Sequence, residues 1–415
     1  MEEKLRFVFE YQRGERSMTE LCQRYEIARE TGYVWLRRYR AAGVAGLVEH
    51  RRAAQRHANQ TPHEIEQMVL ELRQAHMCWG PRKLKRILER DEPGRNWPAA
   101  STIGALLQRE GLVVARKKRW RTAPYSAPLA HADEVNRVWC ADFKGWFRTA
   151  DRERIDPLTL PDAHSRYLLR CQAVEKADTA RVQAIFEAAF REYGLPQAMR
   201  TDNGAPFASR ALAGLSRLAV WWIKLGIVPE RIAAGHPEQN GRHERMHRTL
   251  KQEAAQPPAA NRRQQQQALD RFRQQYNQVR PHEALEMRTP ASVYQPSARK
   301  FPARLPEPEY PHSMLVRSVR LKGHFRWKKH DVFLSEVLWG ESVGLLPEDD
   351  RWFTIYFAQL PLGRFDSQKL QVTPLTKGKV SEKVWAGEGE ASPSPAPHPL
   401  GASQEIENVS GMRPV

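Results

Sequence analysis

No uninterrupted apolar run in this sequence of 415 residues approaches the ~20 that a membrane-spanning helix needs, so no membrane span is expected. Cysteine is scarce: Cys22, Cys78, Cys140 and Cys171 stand alone. With no Cys-x-x-Cys pair, neither a disulfide framework nor a zinc knuckle is expected. The opening residues, Met1 to Glu10, are charged and amphipathic, unlike a secretory leader. A reducing, cytoplasmic setting is the natural expectation. Acid is also short, with 48 acidic residues against 66 basic ones and a net charge of +18. A basic surface favours nucleic acid, because neutralising phosphates releases their counterions. The chain is not expected to be wholly disordered, since 12 Trp, 11 Tyr and 14 Phe are ample core material. Length predicts about two to four domains.

Residues 1–52 read as all-helical. Leu5, Val8, Phe9 and Tyr11 mark an amphipathic opening, and Ser17-Met18-Thr19-Glu20 is a capping box before a second helix. A third helix, Thr31 to Arg40, mixes Val34, Leu36 and Tyr39 with Arg37, Arg38 and Arg40. Such a layout suits a helix-turn-helix whose last, basic helix enters the major groove, although small three-helix bundles share it. Residues 58–115 repeat the theme. Thr61-Pro62-His63-Glu64 opens one helix, and Gly80-Pro81 opens another that carries Arg82, Lys83 and Lys85 on a basic face. Pro98 starts a third that ends at Gly111. The linker 116–132 contains Lys117, Lys118 and Arg119, a run suited to phosphate contacts.

From residue 133 to 296 strands alternate with helices, which predicts an α/β domain with a central sheet. The expected strands are Val138–Phe143, Leu158–Asp162, Tyr167–Ala173 and Ala198–Asp202. The expected helices are Thr179–Tyr193, Leu212–Leu225, Pro237–Leu250 and Asn261–Tyr276. Residues 311–374 hold short strands at close intervals, which predicts a small all-β barrel. Within it Lys322, Arg326, Lys328 and Lys329 surround Phe325 and Trp327, a composition open to either DNA binding or protein docking. Residues 375–415, with Ser392-Pro393-Ser394-Pro395, read as a disordered tail.

Three acids sit at element ends: Asp142 in a strand, Asp202 where a strand meets Asn203-Gly204, and Glu244 early in a helix. Any one alone reads as a solvated or capping residue. Together, carboxylates from separate elements can converge on hard divalent cations, and a pair of magnesium ions suits phosphodiester chemistry. Glu244, Arg248 and Lys251 share one helical face, as a metal ligand beside two phosphate contacts or as an ordinary exposed ion-pair surface. His236, His243, His247 and His282 lack a zinc spacing and read as caps, packing or phosphate contacts.

The segments Trp139-Cys140-Ala141-Asp142-Phe143-Lys144, Arg200-Thr201-Asp202-Asn203-Gly204-Ala205-Pro206-Phe207 and His236 to Lys251 resemble the DDE integrase core of bacterial insertion-sequence transposases, relatives of retroviral integrases. Tyr276-Asn277-Gln278-Val279-Arg280-Pro281-His282 resembles the closing motif of that family. The resemblance covers residues 1 to about 295. It implies a multidomain protein: two all-α helix-turn-helix domains, an α/β ribonuclease H-like catalytic core and a small C-terminal barrel. It implies catalytic, metal-binding acids at Asp142, Asp202 and Glu244, with two Mg2+ or Mn2+ ions per site. It also implies binding of double-stranded DNA, both element ends and target, by a homo-oligomer associated with the bacterial nucleoid. The expected reaction is strand cleavage and transfer of 3′-hydroxyl ends into target DNA. A DNA-binding regulator without that activity, or a nuclease that cuts and does not join, are the alternatives. One departure concerns the third acid. Asp202 and Glu244 are separated by 41 residues, whereas Glu238 would give the 35 common in such cores. Motif phase favours Glu244, with extra sequence between Leu215 and Lys224 accounting for the length.

Overall fold

The computed structural model describes residues 2–49, 60–113, 132–209, 211–232 and 241–375. The chain divides into two compact units, Met1–Leu70 and Glu71–Val415. The first holds α1 (Glu2–Gln12), α2 (Met18–Arg24) and α3 (Arg29–Ala42). The expected capping box is present: Glu20 N donates to Ser17 Oγ, and Ser17 N donates to the Glu20 carboxylate at 2.8 Å. Phe7, Val8, Leu21, Cys22 and Leu36 form the core, while Phe9 is 44% exposed. Gly32 on α3 is what lets three helices meet, because a Cβ there would lie 2.8 Å from Phe7 Cζ and 2.9 Å from Cys22 Sγ.

The helix α4 (His63–Ala75) crosses the boundary between the units; α5 (Pro81–Asp91) and α6 (Ala100–Arg109) belong to the second. Gly80 caps α5 with Pro81 in the first turn, and Leu84, Ile87 and Leu88 are buried. The expected start of α6 at Pro98 moves to Ala100.

The α/β region builds one mixed six-stranded sheet. Its strands are β1 (Val138–Phe143), β2 (Phe147–Arg148), β3 (Arg154–Pro161), β4 (Leu168–Val174), β5 (Ala198–Thr201) and β6 (Val228–Arg231). β3 is antiparallel to β1 and β2 along one edge and to β4 along the other, whereas β1, β5 and β6 are parallel. The antiparallel half followed by a parallel half is a ribonuclease H-like arrangement. On one face α7 (Thr179–Tyr193) and α8 (Arg217–Lys224) cover Trp139, Leu158, Leu169 and Met199. On the other, α9 (Gly241–Ala254) and α10 (Arg262–Gln278) pack Met246, Leu250, Leu269 and Phe272 onto Leu168 and Cys171. None of the four cysteines is in a disulfide, and burial pushes the Cys140 thiol up to about 12.

Two expectations are corrected here. The helix foreseen over Leu212–Leu225 is a single 3-10 turn, Leu212–Gly214, followed by the eight-residue α8, whose start is set by the Ser216 side chain accepting from Ala219 N. The strands β2 and β6 were not foreseen. β6 is an edge strand that tolerates Pro229, a residue that argues against a central strand.

The C-terminal part is all-β. β7 (Leu315–Ser318), β10 (Ser342–Pro347), β11 (Trp352–Phe357), β12 (Leu360–Asp366) and β13 (Gln371–Pro374) form an antiparallel sheet in the order β13-β12-β11-β10-β7. A hairpin of β8 (His324–Trp327) and β9 (His330–Phe333) stands beside it. These ladders are a five-stranded sheet and a hairpin, linked by an isolated antiparallel bridge between Val319 and Phe325. The core they enclose also takes in Leu215, Ala219 and Val220 of the α8 region, and Lys224 on α8 pairs with Glu341 at 2.9 Å. No helix among the described residues is long and apolar enough to cross a membrane. The tail expected over 375–415 lies, apart from Leu375, outside the described residues.

Candidate active site

Two of the three acids are brought together by strand register. β1 and β5 run parallel, with Ala141 opposite Thr201, and Asp142 and Asp202 follow one step beyond each. Neighbouring strands lie about 4.8 Å apart, so both carboxylates leave the same end of the sheet. Val138 and Cys140 alternate with Trp139 and Ala141, whose side chains enter the α7–α8 core. Asp142, in phase with Cys140, is thus directed to the α9 side.

The turn after Asp202 is built around its carboxylate. A Cβ on Gly204 would fall 2.9 Å from Asp202 Oδ2, so glycine makes the space that the acid occupies. Asn203 Nδ2 donates to the Ile232 carbonyl at 2.9 Å, fixing the turn to β6. Phe207 stacks near Phe143 with ring centres 5.7 Å apart, and Ser216 Oγ donates to the Phe207 carbonyl at 2.8 Å. Asp202 Oδ1 is buried with no hydrogen-bond partner. A buried carboxylate oxygen in that condition is an incomplete structural element and a natural cation ligand.

The helix α9 is tied to the sheet by Thr159, which stands between Leu158 and Leu160 on β3. Thr159 Oγ1 lies 2.9 Å from His243 Nε2 and 2.8 Å from His247 Nε2, and donates to the Asp142 carbonyl at 3.1 Å. One hydroxyl has one hydrogen and two lone pairs. The assignment that satisfies every group has Thr159 donating to Asp142 and accepting an Nε2–H from each histidine. Burial favours the neutral rings: His247 is held down at about 4, and His243 lies well below its ordinary value. Ligand atoms of Asp142, His243 and His247 all lie within 4.8 Å of one another. In the assigned state both Nε2 atoms are already committed to Thr159, which makes the histidines a tether for α9.

Glu244 follows His243 in the first turn of α9 and is exposed, as are Arg248 and Lys251. It stands outside the trio of Asp142, His243 and His247. Lys144, two residues beyond Asp142, is half-buried, and its ammonium is lowered first by burial and then by the charge of Lys251. Two cations thus share the neighbourhood of Asp142. Behind the acids, Arg200 on β5 pairs with Glu230 on β6 at 2.9 Å. Asp162, wholly buried, accepts from Asn136 N, Ser165 N and Ser165 Oγ at 2.8, 2.7 and 2.6 Å and closes the β3–β4 turn; burial raises its carboxyl.

The remaining candidates are scattered. Arg37, Arg38 and Arg40 are exposed on α3, and Arg82 is exposed on α5. Lys85 pairs with Glu89 at 3.5 Å, while Lys83 is half-buried. Lys117, Lys118, Arg119 and Glu238 lie outside the described residues. Phe325 and Trp327 are buried in the β-core, so neither is offered for stacking on a base. Sequence reasoning passed over Thr159 and Lys144. Its available signal was a threonine between Leu158 and Leu160, in the apolar second half of β3.

Comparison with known proteins gives matches along the chain. An integrase core domain matches residues 132–237, and a second integrase core domain matches 225–290. A helix-turn-helix domain matches 3–54 and a homeodomain-like domain 31–107. The insertion element IS407 uncharacterized 31.7 kDa protein of Burkholderia multivorans is 28% identical over 257 residues, covering 61% of this chain and 87% of that one. The insertion element IS476 uncharacterized 39.2 kDa protein of Xanthomonas euvesicatoria is 29% identical over 274 residues, 65% of this chain and 75% of that one. Among solved structures, the HTLV-2 integrase catalytic core domain in complex with magnesium is 16% identical, with a TM-score of 0.32 over 39% of this chain and 98% of that one. The chain thus carries integrase core domain matches over residues 132–290 behind helix-turn-helix matches, and over 61–65% of its length it is similar to proteins of bacterial insertion elements.

Proposed function

We propose that this protein binds the terminal inverted repeats of a mobile element, cleaves DNA strands there and transfers the freed 3′-hydroxyl ends into target DNA. The observation that carries the reading is the pairing of Asp142 and Asp202 at the ends of adjacent parallel strands, the latter with a buried, unpartnered carboxylate oxygen. Such an oxygen fits a hard cation. Asp142, Asp202 and Glu244 would hold magnesium or manganese, two ions per site, which when bound supply charge neutralisation to the attacking and leaving oxygens of a phosphodiester displacement.

The chain's own residues do the rest. Thr159 accepts from His243 and His247, which burial keeps neutral, and so keeps the start of α9 against the sheet, presenting Glu244 from a rigid element. Lys144, Lys251 and Arg248 offer cations to the phosphates that flank the reacting one. Residues 1–52, with Arg37, Arg38 and Arg40, and residues 58–115, with Arg82, Lys83 and Lys85, would recognise the ends. The linker 116–132, with Lys117, Lys118 and Arg119, would follow the backbone between them and the catalytic core of 133–296. The β-unit, 311–374, braces α8 of that core. Two ends must be joined together, which favours a homo-oligomer assembled on double-stranded DNA.

The test is cleavage and joining of labelled DNA that carries the element's own ends, with and without magnesium or manganese. Joined products that require the metal and vanish in Asp202→Asn support the reading. Tight end binding without metal-dependent products would favour a DNA-binding regulator, and cleavage without joining a nuclease.

A further inference from the structure

A basic cleft opens on a different side of α9 from the one that bears Glu244. The residues Arg242, Arg245, Met246 and Thr249 recur at helical spacing and form one wall, whereas Glu244, Arg248 and Lys251 leave the helix on another side. The opposite walls are α5, through Lys83, the Arg166 turn, and the segment after α10, through Arg280 and His282. The space is about 490 Å³ and open on one side. Five cations line it, against the single acid Glu283.

The charges in this cleft are largely uncompensated. Arg280 is paired, with Nη1 2.6 Å from Glu253 on α9, and its guanidinium lies 5.9 Å from the ring centre of Trp79. Among the described residues no ion pair is made by Lys83, Arg166, Arg242 or Arg245. Cations gathered around a concave site without carboxylate partners repel one another, and an anion relieves the repulsion. His282 supplies a second, independent sign. Its Nε2 is buried without a hydrogen-bond partner, and burial holds the ring neutral at about 3. A polar atom in that state lacks a neighbour that a bound group or its water would supply.

We propose that this cleft is a phosphodiester-binding site, which seats the backbone of duplex DNA between α5 of the second helical unit and α9 of the integrase core. The inference rests on the DNA-acting reading above and adds to it a second place where DNA is gripped, away from the acids. Two features favour a backbone phosphate over a base edge. The lining is guanidinium and ammonium rather than amide, and α5 already presents Arg82 and Lys85 along the same helix. The site would fix the DNA path from the end-recognition helices to the core, because one phosphate contact engages both elements at once.

Lys83 gives the site a signature. Burial, and then the charge of Arg280, hold its ammonium down at about 8, with Glu283 and Glu253 raising it and Arg245 lowering it. Arg166, Arg242, Tyr276 and His282 complete the groups around the cleft, and His282 is neutral throughout this range. A phosphate among these cations favours the charged lysine. Binding near pH 8.5 therefore takes up a proton, whereas binding at pH 6.5, where Lys83 is already charged, takes up none through this group.

The experiment uses the full chain and a labelled 30-base-pair duplex (about three helical turns) of arbitrary sequence. Affinity is measured across salt, and proton uptake by calorimetry in buffers of differing ionisation enthalpy. The variants are Lys83→Gln and Arg245→Gln, with Arg191→Gln, an exposed residue paired with Glu187 on α7, as control. The expected result is a roughly tenfold loss of affinity for each cleft variant, with the salt slope reduced by about one, while the control is unchanged. Proton uptake at pH 8.5 is expected in the parent chain and lost in Lys83→Gln. Circular dichroism and the melting temperature check that each variant is folded; a cleft variant that has lost its fold is replaced by Lys83→Arg, which is expected to keep affinity and abolish the proton uptake. Unchanged affinity, slope and proton uptake in folded cleft variants would overturn the proposal and leave the DNA-acting reading standing. Proton uptake with inorganic phosphate alone, and DNA affinity untouched in both variants, would make the cleft a small-anion site and equally overturn it. Failure of the parent chain to bind any duplex would overturn both readings.

Discussion

A single hydroxyl, that of Thr159, joins the strand bearing Asp142 to the helix bearing Glu244. Thr159→Val keeps the shape and deletes the hydroxyl, leaving two buried imidazole donors unmet. A loss on the order of 2–4 kcal/mol is expected, read by urea unfolding. The same histidines set an acid limit. With a folded value of about 4 for His247 and one held well below the ordinary imidazole range by burial for His243, against about 6.5 in an unfolded chain, neither state binds much proton above pH 6.5. Below that, the unfolded chain takes up protons that the folded chain refuses. Stability therefore falls as pH drops from 6.5 toward 4, by about 1.4 kcal/mol per unit for each histidine. Unfolding curves at pH 7.5 and 5.5 should show the fall, and His247→Gln should flatten it; an undiminished slope in that variant would contradict the assignment. Gly204 carries a third expectation. Gly204→Ala pushes on the Asp202 carboxylate, so joining activity should drop at least tenfold with the melting temperature little changed. At this scale Asp142 and Asp202 were legible as acids at strand ends, which the register of β1 and β5 sets side by side. Thr159 was not, since its partners lie 84 and 88 residues away in sequence.

At the scale of elements, local signals decided what could be read. α7 was legible to its end residues because Asp178 caps it and Gly194 follows it. β1 was legible as an apolar run bearing one acid. β6 was hidden by Pro229, and α8 was overextended because Leu212 and Leu215 are apolar without being helical, Leu215 belonging to the core of the β-unit. Apolar spacing cannot tell which neighbour a residue serves. In the first unit, Gly32 is an element-level contact that no propensity scale rewards. Gly32→Ala in the full chain should overpack the crossing of α3 with α1 and α2 by about 1–3 kcal/mol. Amide exchange in α1–α3 should then accelerate while that of β1 and β5 does not.

For the molecule as a whole, the charge of +18 and the helix-turn-helix units ahead of an integrase core were legible, since each rests on composition or a contiguous motif. The seating of the β-unit on α8 was not, because it joins residues over a hundred positions apart. A chain ending at residue 310 would expose Leu215, Ala219 and Val220, and is expected to aggregate; Val220→Lys in that shortened chain should restore solubility, and recovery of soluble protein without it would contradict the shared core. The most direct measurement of the central claim, three carboxylates acting on DNA, is strand joining on the element's own ends by Asp142→Asn, Asp202→Asn, Glu244→Gln and Glu238→Gln beside the parent chain. Joining should be lost in the first three and kept in Glu238→Gln. Loss in Glu238→Gln with activity kept in Glu244→Gln would contradict the account.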